Sequence, residues 1–177
     1  MKQPLMIKLY LVYFFSYLVF LSLFKIKNPD LWLHLKTGEY IVENHSIPQK
    51  DIFSFTAGQR EWLNHEWLSE VIFALVERIG GVEALQSFKI SLLIIIYLLI
   101  FLTIRDKAPF LSISLLIISA IASRSRFLIG PDLFTYLMLS LYFFFFYRPE
   151  KVNRGTYLIL LPLLQMVWAN MHGGYLL

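Results

Sequence analysis

Asp30 and His34 lie four residues apart, which puts a carboxylate and an imidazole on one face of a helix, with Gly38 one turn further on. Such a pair can pass a proton as acid and base, or supply two ligands to a divalent metal. It can also serve only the helix, the aspartate favouring the positive end of the dipole and the histidine pairing with it. A second concentration falls in REWLNHEWLSE, residues 60–70, where His65 and Glu66 stand between Trp62 and Trp67. Its letters begin like the zinc-protease signature H-E-x-x-H, but position 69 is Ser69 and position 61 is Glu61. The second imidazole is missing, so that chemistry is excluded. Helix-start chemistry accounts for Asn64 as an N-cap and for Glu66 near the positive dipole end, and leaves His65 unexplained. Asp51, three residues after Pro48, reads on its own as a turn residue.

The elements that must position these groups belong to a membrane protein. Of 177 residues 58% are hydrophobic, with 16 Phe and 10 Tyr, more apolar side chain than a soluble domain of this length carries. The net charge of +4 is spread over short connections between apolar runs, which is membrane topology and argues against a nucleic-acid partner. With no cysteine, disulfides and thiolate metal sites are excluded. Five apolar runs stand out: Leu9–Phe24, Ala84–Ile104, Ala108–Ala122, Leu133–Tyr147 and Tyr157–Ala169. The first lacks a small-residue cleavage site and reads as a retained anchor. Only the second reaches the roughly 20 residues of a full span, so the others need aromatic or snorkelling flanks such as Lys8, Lys25 and Tyr147. The expected fold is an all-α, polytopic membrane helical bundle, a single transmembrane domain over 1–177.

Lys2, Lys8, Arg105, Lys107, Arg148, Lys151 and Arg154 mark the cytoplasmic side by the positive-inside rule. The amino terminus is then cytoplasmic, and residues 25–83 form a first outer loop. Arg124 and Arg126 fall on the outer side, either outvoted by the other charges or binding an anion such as phosphate. In the outer loop, Asn28 and Pro29 start a helix running to about Glu43, and DIFSFT alternates like a short extended piece. A second helix starts at Asn64 and ends at Gly80-Gly81. Trp67, Leu68, Val71, Ile72, Leu75, Val76 and Ile79 share one face and Glu70 and Glu77 the other, the pattern of a helix lying in the membrane interface. This topology collects Asp30, His34, Asp51, His65, Glu66, Arg124, Arg126, Asp132, Asn170 and His172 on or near the outer side, with His45 in the same loop. The cytoplasmic connections hold only solvating charges.

The blocks PDLWLHLKTGEYI, IPQKDIFSFT, WLNHEWL, GPDLFTYL and WANMHGGYLL resemble, in order, those of a family of bacterial polytopic membrane proteins. That family is similar to the GT-C glycosyltransferases, the superfamily of oligosaccharyltransferase and the protein mannosyltransferases. The resemblance covers nearly the whole chain. It implies transfer of a sugar from a polyprenyl-phosphate carrier to an acceptor at the outer leaflet, with the lipid bilayer as partner. It also implies Asp30 as base or metal ligand, with Asp51 or Glu66 as a further acidic residue and His34 beside them. A divalent cation, Mg or Mn, would sit on Asp30 and Asp51. Arg126, with Arg124, His65, Asn170 and His172, would hold the donor phosphate. Gly130 stands where relatives carry arginine before the proline of the GPDLF block, which leaves Arg124 and Arg126 to supply the positive charge. GT-C proteins have many more spans, so the chain reads as an amino-terminal fragment. The competing expectations are a non-catalytic envelope protein that binds a lipid-linked sugar or an assembly partner, and a transporter. The second is weakened by the scarcity of polar groups in the spans, Gln165 being one of few.

Overall fold

A computed structural model describes residues 3–23, 28–56, 60–106, 108–148 and 153–176. Lys2, Lys107, Lys151 and the Arg154 side chain, used above for orientation, and the flanking Lys25 lie outside the described residues. Six helices follow one another: α1 (Gln3–Ser22), α2 (Leu31–Asn44), α3 (Trp67–Ile104), α4 (Pro109–Ala122), α5 (Asp132–Tyr147) and α6 (Arg154–Ala169). Short 3-10 turns lie at Arg124–Arg126 and Gly173–Leu176. Over the described residues, each of the five apolar runs lies almost wholly within a helix. By length and composition, α1 over Leu5–Ser22 and α3 over Trp67–Ile104 can cross a membrane. The 14 residues of α4 and 16 of α5 span about 21 and 24 Å, short of the roughly 30 Å of hydrocarbon.

Local chemistry sets several boundaries. Asn28 accepts the Asp30 N–H at 3.1 Å and donates to the Ile129 carbonyl at 2.9 Å, so it both turns the chain into α2 and ties it to the segment before α5. His45 ends α2 in the left-handed region, and Pro109 opens α4 at a position where no amide hydrogen is needed. The expected outer helix and the second apolar run prove to be one element, α3, broken at Gly80-Gly81. Gly81 has φ 63° and ψ −151°, a conformation open essentially to glycine alone.

Three local expectations need correction. DIFSFT is not extended: Asp51 Oδ1 accepts the N–H groups of Phe53 and Ser54 at 3.0 and 2.9 Å, folding the segment into a turn. Among the described residues, pairing is limited to Asp51 N–H with the Arg60 carbonyl and Trp62 N–H with the Gln49 carbonyl, both 2.9 Å. Asn64 does not cap α3, which starts at Trp67. The Leu68 amide is instead satisfied in trans by the Asn170 carbonyl at 3.1 Å. Finally, α3 buries Ser69, Glu70, Phe73 and Ala74, whereas Leu75 and Ile79 of the apolar face are exposed. Glu70 faces the protein.

The α2 helix lies beside the first half of α3 with both chains running the same way: His34 meets Glu70, Gly38 meets Glu70 and Ala74, and Glu43 meets Arg78. A long return through 45–66 makes this parallel pairing possible. The core gathers Phe14 of α1, Leu31 of α2, Phe73, Leu85 and Leu93 of α3, Ile113 of α4 and Leu133 of α5, all under 3% exposed. Outside it, Leu9 and Val12 on α1 and Leu158 and Ile159 on α6 stay exposed, as expected where apolar surface meets lipid rather than water.

Candidate functional site: a carboxylate–imidazole cluster

Glu66, the residue that leads into α3, lies in the midst of three imidazoles. Its carboxylate oxygens lie 3.9 Å from His34 Nδ1, 3.7 Å from His65 Nε2 and 3.6 Å from His172 Nε2. His172 Nε2 is also 3.0 Å from Asp132 Oδ1. Four separate segments thus contribute: α2, the start of α3, the start of α5 and the turn after α6. These contacts bring together five residues that the sequence separates by up to 138 positions, from His34 to His172.

The two better-buried imidazoles are held in defined states. His34 Nδ1 donates to Glu70 Oε1 at 3.1 Å, and Asn64 Nδ2 donates to Glu70 Oε2 at 2.5 Å. Both oxygens of this 2%-exposed carboxylate are therefore paired, as burial of a charge demands. Burial pulls the His34 pKa down, but the hydrogen bond and charge of Glu70, with Glu66 and Asp30, outweigh it and hold the imidazole above its ordinary value. At His172 the tautomer follows from donor counting. Trp168 Nε1 can only donate and does so to Thr135 Oγ1 at 3.0 Å, which leaves the Thr135 proton for His172 Nδ1 at 2.7 Å. Gly174 N–H adds a second donor to the same nitrogen at 3.2 Å. The ring proton is left on Nε2, facing Asp132 and Glu66.

Asn170 ties the site together. Its Oδ1 accepts from Trp67 Nε1 at 2.7 Å, while its Nδ2 donates to the Met166 carbonyl at 2.8 Å. Ser69 Oγ bridges the Glu66 and Met171 carbonyls at 2.8 and 3.0 Å. Asp30 lies one turn from His34, is exposed, and its carboxylate makes no hydrogen bond or ion pair among the described residues. The partner of His34 is Glu70, not Asp30. Asp51 is occupied by its own turn, whose hydrogen bonds from Ser54 and Phe53 lower its pKa.

Among the described residues no three histidine or acidic side chains are arranged to hold a metal ion. The side chains as they stand do not fit the cation expected on Asp30 and Asp51. Arg124 and Arg126 form the 3-10 turn after α4. Arg126 lines a groove of about 280 Å³ between α3, α4 and α5, together with Leu93, Ile96, Ser123, Tyr136 and Phe143. Tyr136, on the groove wall, is one helical turn from Asp132, in the cluster. Sequence reading assigned no site role to Glu70, Thr135 or the Asn64–Glu70 bond. A spacing of four from Glu66 to Glu70 was the available signal, and the apolar face of α3 pointed away from it.

No protein-family model matches the chain, and no curated protein or solved structure matches it significantly.

Proposed function

We propose that the chain carries a GT-C-type glycosyl-transfer site facing the outer side of a bacterial inner membrane, with a polyprenyl-phosphate sugar as donor. The observation that carries this reading is Glu66 among three imidazoles and next to a free carboxylate, Asp30, at one end of an apolar helical bundle. The exposed Asp30 carboxylate takes the proton of the acceptor hydroxyl, whose oxygen attacks the anomeric carbon while the bond from that carbon to the phosphate oxygen breaks. The leaving phosphate needs positive charge, for which protonated His34 and Arg126 are the available groups. Glu66 orients the imidazoles, and His172, with its proton on Nε2, completes the acid side of the cluster.

The test uses membranes holding wild type, Asp30→Ala or Glu66→Gln at matched levels, incubated with a labelled polyprenyl-phosphate sugar. Wild type should release label from the carrier, and each variant should be slowed by about 10²–10⁴-fold, the usual worth of acid–base catalysis. Equal release by wild type and Asp30→Ala would remove Asp30 from the mechanism. Donor retained by all three without turnover would instead favour a non-catalytic envelope protein that binds the lipid-linked sugar.

A further inference from the structure

A groove of about 600 Å³ lies where the end of α1, the start of α2 and the part of α3 beyond its break meet. It shares no residue with the carboxylate–imidazole cluster. Leu31, Leu85 and Ile90 give it apolar walls, and Trp32, Glu83, Gln86 and Ser87 its polar groups. Its depth follows from the helices. The apolar stretch of α1 ends at Ser22, next to the lining residue Leu23. The stretch of α3 after the break, Val82–Ile104, is about 34 Å long, enough to cross the roughly 30 Å of hydrocarbon. One span ends and the other begins beside this groove, so it lies at the level of the lipid headgroups, where tryptophan concentrates.

The polar groups along the α3 wall are chiefly acceptors. Gln86 Nε2 donates to the Ser22 carbonyl at 2.7 Å and Ser87 Oγ donates to the Glu83 carbonyl at 2.9 Å, which leaves the Gln86 amide oxygen and the Ser87 lone pairs to accept. Glu83 is exposed, and its carboxylate makes no ion pair among the described residues. That carboxylate is held over the break, with Oε2 3.4 Å from where a Gly81 side chain would begin. No cationic side chain stands among the described lining residues. Trp32 enters from α2, 61% exposed, and its indole N–H has no partner among the described residues. A carboxylate, an amide oxygen and a hydroxyl beside an aromatic ring suit a cationic head that donates hydrogen bonds, and the apolar remainder suits a tail.

We infer that this groove binds a phospholipid with a primary ammonium headgroup, its ammonium on Glu83 and Gln86 beside the Trp32 ring and an acyl chain along the α3 wall from Leu85 to Ile90. The charge of Glu83, unopposed among the described lining residues, selects against an anionic lipid. A lipid is the occupant because the groove lies between two helices able to cross a membrane, at headgroup depth. Neither the acid–base cluster nor the transferase reading enters this inference.

Thermal unfolding of the purified full chain in a neutral detergent tests it, with dioleoyl phosphatidylethanolamine, dioleoyl phosphatidylglycerol and dioleoylglycerol as separate probes. The ethanolamine lipid should raise the wild-type midpoint. The glycerol lipid, which keeps the tails and the phosphate but has hydroxyls in place of the ammonium, should not, and neither should dioleoylglycerol. Glu83→Gln and Trp32→Leu alter exposed side chains and should leave the ligand-free midpoint at the wild-type value. Glu83→Gln should weaken binding of the ethanolamine lipid about tenfold, as loss of a charge-assisted hydrogen bond does. Trp32→Leu should weaken it by about two- to fivefold, the worth of an exposed cation–aromatic contact. The absence of a wild-type shift with the ethanolamine lipid, an equal shift with either control lipid, or an undiminished shift in either variant would overturn the inference. Binding is read without turnover, so a failure of sugar transfer leaves this result standing on its own.

Discussion

Glu70 shows what a single residue decides in this protein. Its two oxygens are taken by His34 and Asn64, so the carboxylate fixes both the α2 imidazole and the chain entering α3. Glu70→Ala leaves His34 and Asn64 facing an empty buried site and should cost about 3–5 kcal/mol in chemical unfolding, the range for breaking a buried pair from one side. The pH dependence has a defined sign. Because folding raises the His34 pKa above its ordinary value of 6.5, the stabilisation from its protonated form is fully present below that value. It is lost as pH climbs through the raised value. Stability measured from pH 6 to pH 9 should fall in wild type and fall less in His34→Gln; parallel curves would show that the His34–Glu70 pair does not carry the effect. At Asp51 the sign is reversed, since its lowered pKa gives stability that is present above the ordinary carboxylate value and lost on acidification. His34 was legible in the sequence as a chemical residue. Its partner was not, because a glutamate on an amphipathic helix is ordinarily assigned to the polar face, and here the face bearing Ser69, Glu70, Phe73 and Ala74 is the one fully buried.

Between elements, the close parallel packing of α2 on α3 is what brings His34 to Glu66 and Glu70. Gly38 permits it: a Cβ at that position would collide with the Glu70 carbonyl and lie 2.9 Å from Ala74 Cβ. The obstacle is backbone, which cannot swing aside as a side chain tip would. Gly38→Ala should therefore destabilise by about 1–3 kcal/mol, as overpacking does, and should also flatten the His34 pH profile by parting the two helices. A loss of stability with an unchanged profile would separate the helix contact from the site geometry. The spacing from Asp30 through His34 to Gly38 was readable as one helix face, but whether the glycine ended a turn or admitted a neighbour depended on a helix more than 30 residues away. Gly80-Gly81 was readable as a helix end; that α3 resumes at once beyond it follows from the φ of 63° that Gly81 accepts.

For the whole molecule, the proposed topology places the carboxylate–imidazole end outside the cell and the end bearing Arg105 and Asp106 inside, where Asp106 pairs with Arg148. The absence of native cysteine makes this testable by single substitutions. Ser54→Cys should react with a membrane-impermeant thiol reagent added to intact cells, and Arg105→Cys should react only after the membrane is opened. The opposite pattern would put the site on the cytoplasmic side and remove the outer-leaflet donor from consideration. All five apolar runs were visible as helices because composition alone sets helix-forming, lipid-compatible segments. By length the runs are not equally suited to crossing a bilayer, since α4 and α5 are shorter than α1 and α3.

What the sequence by itself determined is local: apolar runs that become helices, the turn of Asp51, the entry into α2 at Asn28, and the residue types capable of acid–base chemistry. Each depends on hydrophobicity, hydrogen bonding or backbone freedom within a few residues. Tertiary structure alone decided which of those groups meet. It set Glu66 among His34, His65 and His172, paired Asp132 with His172, buried Glu70, and left Asp30 open. It also left Lys89 inside without a partner. The reason is physical. Contacts across more than 100 residues follow from how helix faces pack and from where a backbone can come close, as at Gly38, and no spacing within a single helix records that choice.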